Sequence, residues 1–390
     1  MLAMRNHFKR TLLSLLALAL LLGGSVLQAG DVQQQARAFT RPIEFNFNRW
    51  IFQAVWSKWE QLSLGGAQFL PAESRTSLVE TYLQAVRDSA QAERDLQDAL
   101  ADPEKAQSDE EIGELRARRN ALQAQRDALS PWAESVLEFQ VSAALSQAGL
   151  TFLGQPIPPV LFHITQPPQA LITSPREKIE MQADISIDPD LSIEEVQQLE
   201  ANVEARLGVS ALVVRIGGIG VYPTMVLQSS DINWLCQTVV HEWTHNYLQW
   251  HPLGIRYGAT PELRTINETT ASIAGEEIGR MVVATWYPEA LPPPPQPAQN
   301  TPPASQTPPP FDFRAEMHHT RVMTDALLAR GEVERAEWYM EVRRRFLWEH
   351  GYHIRKLNQA YFAFHGAYAA GPGGGAAGND PVGEAVRALR

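Results

Sequence analysis

The spacing of apolar residues changes several times along this chain, and each change predicts a change of structure. Between residues 41 and 62, Phe45, Phe47, Trp50, Ile51, Val55, Trp56 and Trp59 make an aromatic-rich amphipathic helix. Its polar face is not strongly basic, which favours packing on the next domain over a membrane-surface or partner role. From 76 to 130 the chain is charge-dense. Leu78, Tyr82, Val86, Leu96 and Leu100 predict one helix, and Leu115, Leu122 and Leu129, seven residues apart, predict a second. With Asp102-Pro103 as the turn, this is an antiparallel helical hairpin, part coiled coil, whose charges form a solvated face. Trp132 to Leu145 continues as a helix back to the body.

From Gly154 the texture turns to short strands. Val160–Ile164, Ala170–Thr173, Ile179–Ile187, Ala211–Ile216 and Gly220–Leu227 are the candidates, with a helix over Ser192–Leu207. Pro223 donates nothing to a ladder, so Val221–Leu227 or its neighbour is expected at a sheet edge. Gly217-Gly218-Ile219-Gly220 lacks the pattern of a phosphate-binding loop. Helical spacing returns at Ile232, Leu235, Val239, Trp243 and Tyr247, after the capping candidates Ser229, Ser230 and Asp231. A second such helix starts near Pro261 and runs through Val283.

The expected organisation follows. Residues 1–29 read as a signal peptide or membrane anchor: Arg5, Lys9 and Arg10 precede an apolar run from Leu12 to Leu22, and small residues reach Ala29. Positive-inside charge then places the rest of the chain outside the cytoplasm. Residues 30–150 are the helical hairpin region, 151–290 a catalytic subdomain, and 291–312 a proline-rich linker. Residues 313–368 form a C-terminal helical subdomain and 369–390 a disordered tail. The length of 390 residues suits one large or two ordinary domains, and the net charge of −11 argues against a nucleic-acid partner. The single cysteine, Cys236, allows no internal disulfide and reads as a small core residue.

The chemistry concentrates in His241-Glu242-Trp243-Thr244-His245. On a helix, residues i and i+4 share a face, so both imidazoles can grip one metal ion. Glu242 lies about 100° further round, where it can reach an activated water as general base. Catalytic zinc takes three protein ligands and one water. The third is expected downstream in Glu268, with Glu276 and Glu277 as rivals.

The pair of motifs, His-Glu-x-x-His followed by Asn267-Glu268-Thr269-Thr270-Ala271, resembles the gluzincins, thermolysin-like zinc metallopeptidases with a His, His, Glu ligand set. Asn267 to Ala271 followed by Gly275-Glu276-Glu277 looks like the glutamate helix of predicted bacterial aminopeptidases. Leu357-Asn358-Gln359-Ala360, near Tyr361 and Tyr368, is similar to their tail. The likeness covers residues 210 to 370. It implies an α+β zincin-like fold: a small mixed β-sheet, an active-site helix and C-terminal helices. In this clan a downstream His or Tyr often binds the developing oxyanion. Among His318, His319, Arg321, Tyr361 and His365, the candidates are Tyr361 and His319. Where many gluzincins carry an aspartate four residues after the glutamate, this chain has Ser272. The expectation is thus an extracytoplasmic zinc peptidase acting on peptides or proteins, attached to a membrane if residues 1–29 are retained. The alternatives are a zincin-fold scaffold without activity and a zinc hydrolase of another amide or ester.

Overall fold

The computed structural model describes residues 31–63, 70–101, 109–292, 311–366 and 381–389. The expected signal or anchor, the Asp102-Pro103 turn and most of the proline-rich linker lie outside them. The chain is a mixed α+β protein with two three-stranded sheets rather than one.

The helical hairpin is built as expected from α3 (Ala72–Ala101) and α4 (Asp109–Gln147), after α1 (Val32–Thr40) and α2 (Phe47–Ser63). The piece expected from Trp132 to Leu145 is the second half of α4, which continues through Pro131. The hairpin does not stand apart: Tyr82, Val86, Val136, Leu137 and Leu145 share a core with Phe162, Val226, Leu235, Val239 and Val282.

The first sheet holds β1 (Phe162–Thr165), β5 (Gly218–Ile219) and β6 (Thr224–Leu227) in the order β1-β6-β5, with β1 parallel and β5 antiparallel to β6. Of the two strands expected as the edge, β6 is central, with Pro223 before it, and its neighbour β5 takes the edge, with β1 at the other side. Edge β1 is sealed by carboxylates from α4. Glu138 accepts from Phe162 N at 3.0 Å, and Glu134 accepts from Ile164 N at 2.8 Å. An unpaired row of amides would otherwise template further strands.

The second sheet is antiparallel, β3-β2-β4, with β2 (Gln169–Pro175) between β3 (Ala183–Ile187) and β4 (Val209–Arg215). Strand β3 begins four residues later than its alternating pattern suggests. Helix α5 (Ile193–Leu207) has a Ser192–Glu195 capping box and ends at Gly208, whose φ of 65° suits glycine. Both sheet faces are covered: α5 and α1 pack on Leu171, Ile185 and Val213, and Ala360 packs on Ala170, Ile172 and Leu212.

The two motif helices are α6 (Ile232–Leu248) and α8 (Pro261–Trp286), joined through the short α7 (Pro252–Ile255). Of the three candidates for capping α6, Asp231 does so, accepting from Asn233 N and Trp234 N. Thr260 caps α8, with Pro261 in its first turn. The C-terminal part comprises α9 (Phe313–Leu328), α10 (Val333–Glu349) and α11 (Gln359–His365). The tail expected to be disordered contains a helix, α12 (Pro381–Ala388), that packs on α8.

The aromatic helix α2 departs most from expectation. Trp50, Ile51 and Ala54 face the body as expected, but Phe52, Trp56 and Trp59 are exposed and Lys58 is buried. Burial of two carboxylates on α4 decides this: a buried lysine that neutralises them outweighs the gain from covering indole rings.

Candidate metal centre

Helices α6 and α8 touch along small residues. Ala271, Gly275 and Gly279 fall one turn apart on the face of α8 that meets α6. A Cβ at Gly275 would sit 2.8 Å from the Gln237 carbonyl oxygen, and one at Gly279 2.8 Å from Gln237 N. Only glycine permits backbones this close. Glu268 continues the same ridge towards the start of α8 and so arrives against His241 and His245. Glu276 is exposed at the cleft wall and does not join the cluster.

Three ligand atoms converge. The Nε2 atoms of His241 and His245 are 3.1 Å apart, and each lies close to Glu268 Oε2, at 3.5 and 3.6 Å. Ligands 2.0–2.1 Å from a tetrahedral zinc are separated by about 3.3–3.4 Å. The triangle is therefore of a size that one metal ion could bridge.

The surrounding hydrogen bonds set the protonation of this triangle. Asn267 Nδ2 donates to the Leu253 carbonyl at 3.4 Å, which turns Asn267 Oδ1 towards His245. His245 Nδ1 donates to that oxygen at 2.7 Å. The Nε2 of neutral His245 then carries a lone pair that faces a carboxylate and a second imidazole. Such a gathering of acceptors suits a cation. Tyr257 donates its hydroxyl to Glu268 Oε1, leaving Oε2 for the triangle. Without a cation the imidazoles can take protons instead: burial works against the charge of Glu268, but the contacts with His241, His245 and Tyr257 hold its carboxyl well below the usual range. Burial alone would lower the His245 pKa, and the facing Glu268 carboxylate outweighs it and raises it.

Glu242 is buried beside the pair, and burial pushes its carboxyl pKa up. Strand β5 lies against it: a Cβ at Gly218 would stand 2.8 Å from Glu242 Oε1, and one at Gly220 2.9 Å from His245 Cβ. The glycine run therefore lets a sheet edge cross the metal helix in near contact. Asn246 staples α6 to the loop before β6 through Val221 O and Thr224 Oγ1, both at 3.2 Å. Cys236 is fully buried in α6, its thiol pushed up to about 12, which keeps it protonated and unreactive.

The triangle opens into a cleft of about 1540 Å³ between the sheets and the C-terminal helices. Tyr361 and His319 do not line it. Asn358 caps α11 and donates to Ala211 O of β4 at 2.9 Å, which leaves Tyr361 packed among Phe362, Phe364 and His365. His319 is exposed on α9. Arg321, Phe362 and Phe364 line the cleft from this side, and α12 adds Arg387. The Leu357 to Ala360 segment docks on the second sheet through buried polar groups rather than facing the cluster. The sequence reading assigned no role to Tyr257, Arg264 or Asn267. Asn267 adjoins Glu268 in the sequence and was the findable one. Tyr257 and Arg264, whose guanidinium lies 5.6 Å over the Tyr257 ring, come together only through the α7 turn.

Comparison with protein-family models, curated proteins and solved structures finds no match to the chain.

Should the three residues hold a metal ion, Asn267→Ala, which removes the partner of His245 Nδ1, is expected to weaken its binding about 10- to 100-fold. Competition with a chelator of known affinity measures this, and unchanged affinity would refute the orienting role.

Proposed function

We propose that this chain is a zinc-dependent peptidase working outside the cytoplasm, with a zincin-like arrangement of its catalytic part. The observation that supports it best is the triangle of His241 Nε2, His245 Nε2 and Glu268 Oε2, with edges of 3.1, 3.5 and 3.6 Å beside a buried Glu242. These three residues would hold the ion. Zinc, when bound, acidifies a water and polarises a substrate carbonyl.

The chain supplies the rest. A Glu242 carboxylate oxygen takes the proton from the attacking water and delivers it to the departing amine. Asn267 fixes the tautomer of His245, and Tyr257 fixes which oxygen of Glu268 faces the ligand cluster. The β5 edge at Gly218–Ile219 offers backbone groups to an extended peptide lying along the cleft. Placement outside the cytoplasm rests on the basic and apolar pattern of residues 1–29.

The test is cleavage of a mixed peptide library by the purified chain as isolated, after chelation and after return of zinc. Peptide cleavage that disappears and returns with the metal is expected. Zinc uptake without turnover would leave a scaffold, and turnover of esters alone would leave a non-peptidase hydrolase. The ligand assignment has its own check: Glu268→Ala should lose the metal, whereas Glu276→Ala should keep it, with zinc per chain read by elemental analysis. The reverse pattern would move the third ligand to Glu276.

A further inference from the structure

Helix α2 buries a lysine and leaves a second apolar stripe outward, while Trp50, Ile51 and Ala54 face the body. Lys58 points inward, with Nζ 2.7 Å from both Glu134 and Glu138, and Gln61 donates to Pro131 O at 2.7 Å. The outer face carries Phe52, Val55, Trp56 and Trp59, at 71, 47, 57 and 72 % exposure. These positions are i, i+3, i+4 and i+7, so they form one stripe along one side.

The character of the stripe identifies what covers it. Two of its four residues are tryptophan, the side chain that gathers at the headgroup level of membranes. Its area is roughly 500 Å² on the usual size of aromatic side chains, large enough to mark an interaction site. It falls short of the roughly 800 Å² per partner that a specific protein interface takes. Chain position agrees: the apolar run Leu12–Leu22 ends 30 residues before Phe52. Spanning is excluded for α2 itself, since no described helix is long and apolar enough to cross a membrane.

We propose that α2 is an interfacial helix, whose Phe52 to Trp59 face rests in the headgroup region of a phospholipid bilayer and holds the body of the protein against the membrane surface. This inference is independent of the metal reading.

The only native thiol, Cys236, is buried, so a cysteine placed on the surface can be labelled selectively. In the full chain, Gln53→Cys beside the stripe carries an environment-sensitive fluorophore, and the protein is mixed with phosphatidylcholine–phosphatidylglycerol vesicles containing a headgroup-level nitroxide. The expected result is a blue shift and quenching of the label. Both should be lost when Phe52, Trp56 and Trp59 are replaced by serine, and reduced by Trp59→Glu alone should the triple variant fail to fold. An unquenched label on the vesicles overturns the proposal. So does quenching that survives both sets of substitutions. A blue shift that grows with protein concentration without lipid also overturns it, and assigns the stripe to a second copy of the chain.

Discussion

Glu242→Gln is expected to lower peptide hydrolysis by about 10²- to 10⁴-fold, the usual worth of a positioned general base, while zinc content stays unchanged. The substitution is nearly isosteric, and Glu242 is one helical position from His241 and outside the proposed ligand group. Its side chain is 8 % exposed under β5, so the amide fills the same space against Gly218. Steady-state kinetics on a cleaved peptide, with metal analysis of the same sample, decides the matter. Full activity with zinc bound would remove Glu242 from the mechanism. Loss of both activity and zinc would make it part of the metal site instead.

The largest effect on stability is expected at Glu134→Ala. Its carboxylate accepts from Lys58 Nζ at 2.7 Å, Gln61 Nε2 at 3.2 Å and Ile164 N at 2.8 Å, and lies 3.0 Å from His163 Nδ1. Removing it leaves Lys58 paired with Glu138 alone and takes the acceptor from Gln61 Nε2, Ile164 N and His163 Nδ1, at about 1–3 kcal/mol for each buried polar group left unsatisfied. That is a large share of the 5–15 kcal/mol typical of a folded protein. Denaturant unfolding measures it, and a loss under about 1 kcal/mol would refute the account. Replacing Lys58 as well, by methionine, should add to the loss, because Glu138 is then left without its cation.

The same group gives a pH dependence. Burial alone would raise the Glu134 pKa, but the charge of Lys58 and the His163 contact outweigh it and lower the pKa to about 2. A carboxyl whose folded pKa lies below its unfolded value near 4.5 stabilises fully above that pH. Its contribution, on the order of 3 kcal/mol, disappears as pH falls from about 4.5 towards 2. Glu138, which burial pushes up, works in the opposite sense and offsets part of the slope. Unfolding free energies that fall between pH 5 and 3 in the native chain, and fall less in Glu134→Ala, are the expected outcome.

Local pattern carried the helix of the histidine pair well. The His-Glu-x-x-His face, the Asp231 cap and the meeting of Glu268 rather than Glu276 with the two histidines all rest on features within one or two turns. The ridge of Ala271, Gly275 and Gly279 that brings the two helices together was present in the sequence too, as small residues every four positions. Misplacements arose where distant segments decide. Tyr361 and His319 were chosen for their chemistry, but the Asn358 anchor to β4 and the exposed face of α9 set where they point. The single small sheet was implied by the gluzincin resemblance, and the period of the strands alone does not say which strands pair. The outward stripe of α2 was missed because the aromatic pattern outweighed a single lysine, whose carboxylate partners lie more than 70 residues away.

Capping of Phe162 N and Ile164 N by Glu138 and Glu134 has a consequence for how other chains meet this one. With that flank closed, the small first sheet can be extended only beside Gly218–Ile219, inside the cleft. An incoming extended segment that seeks main-chain partners is thus turned away from the outer rim and admitted beside the histidine pair. The carboxylates that stabilise the interior thereby also act as a gatekeeper, and opening the rim by mutation should expose a second, unproductive mooring for extended chains.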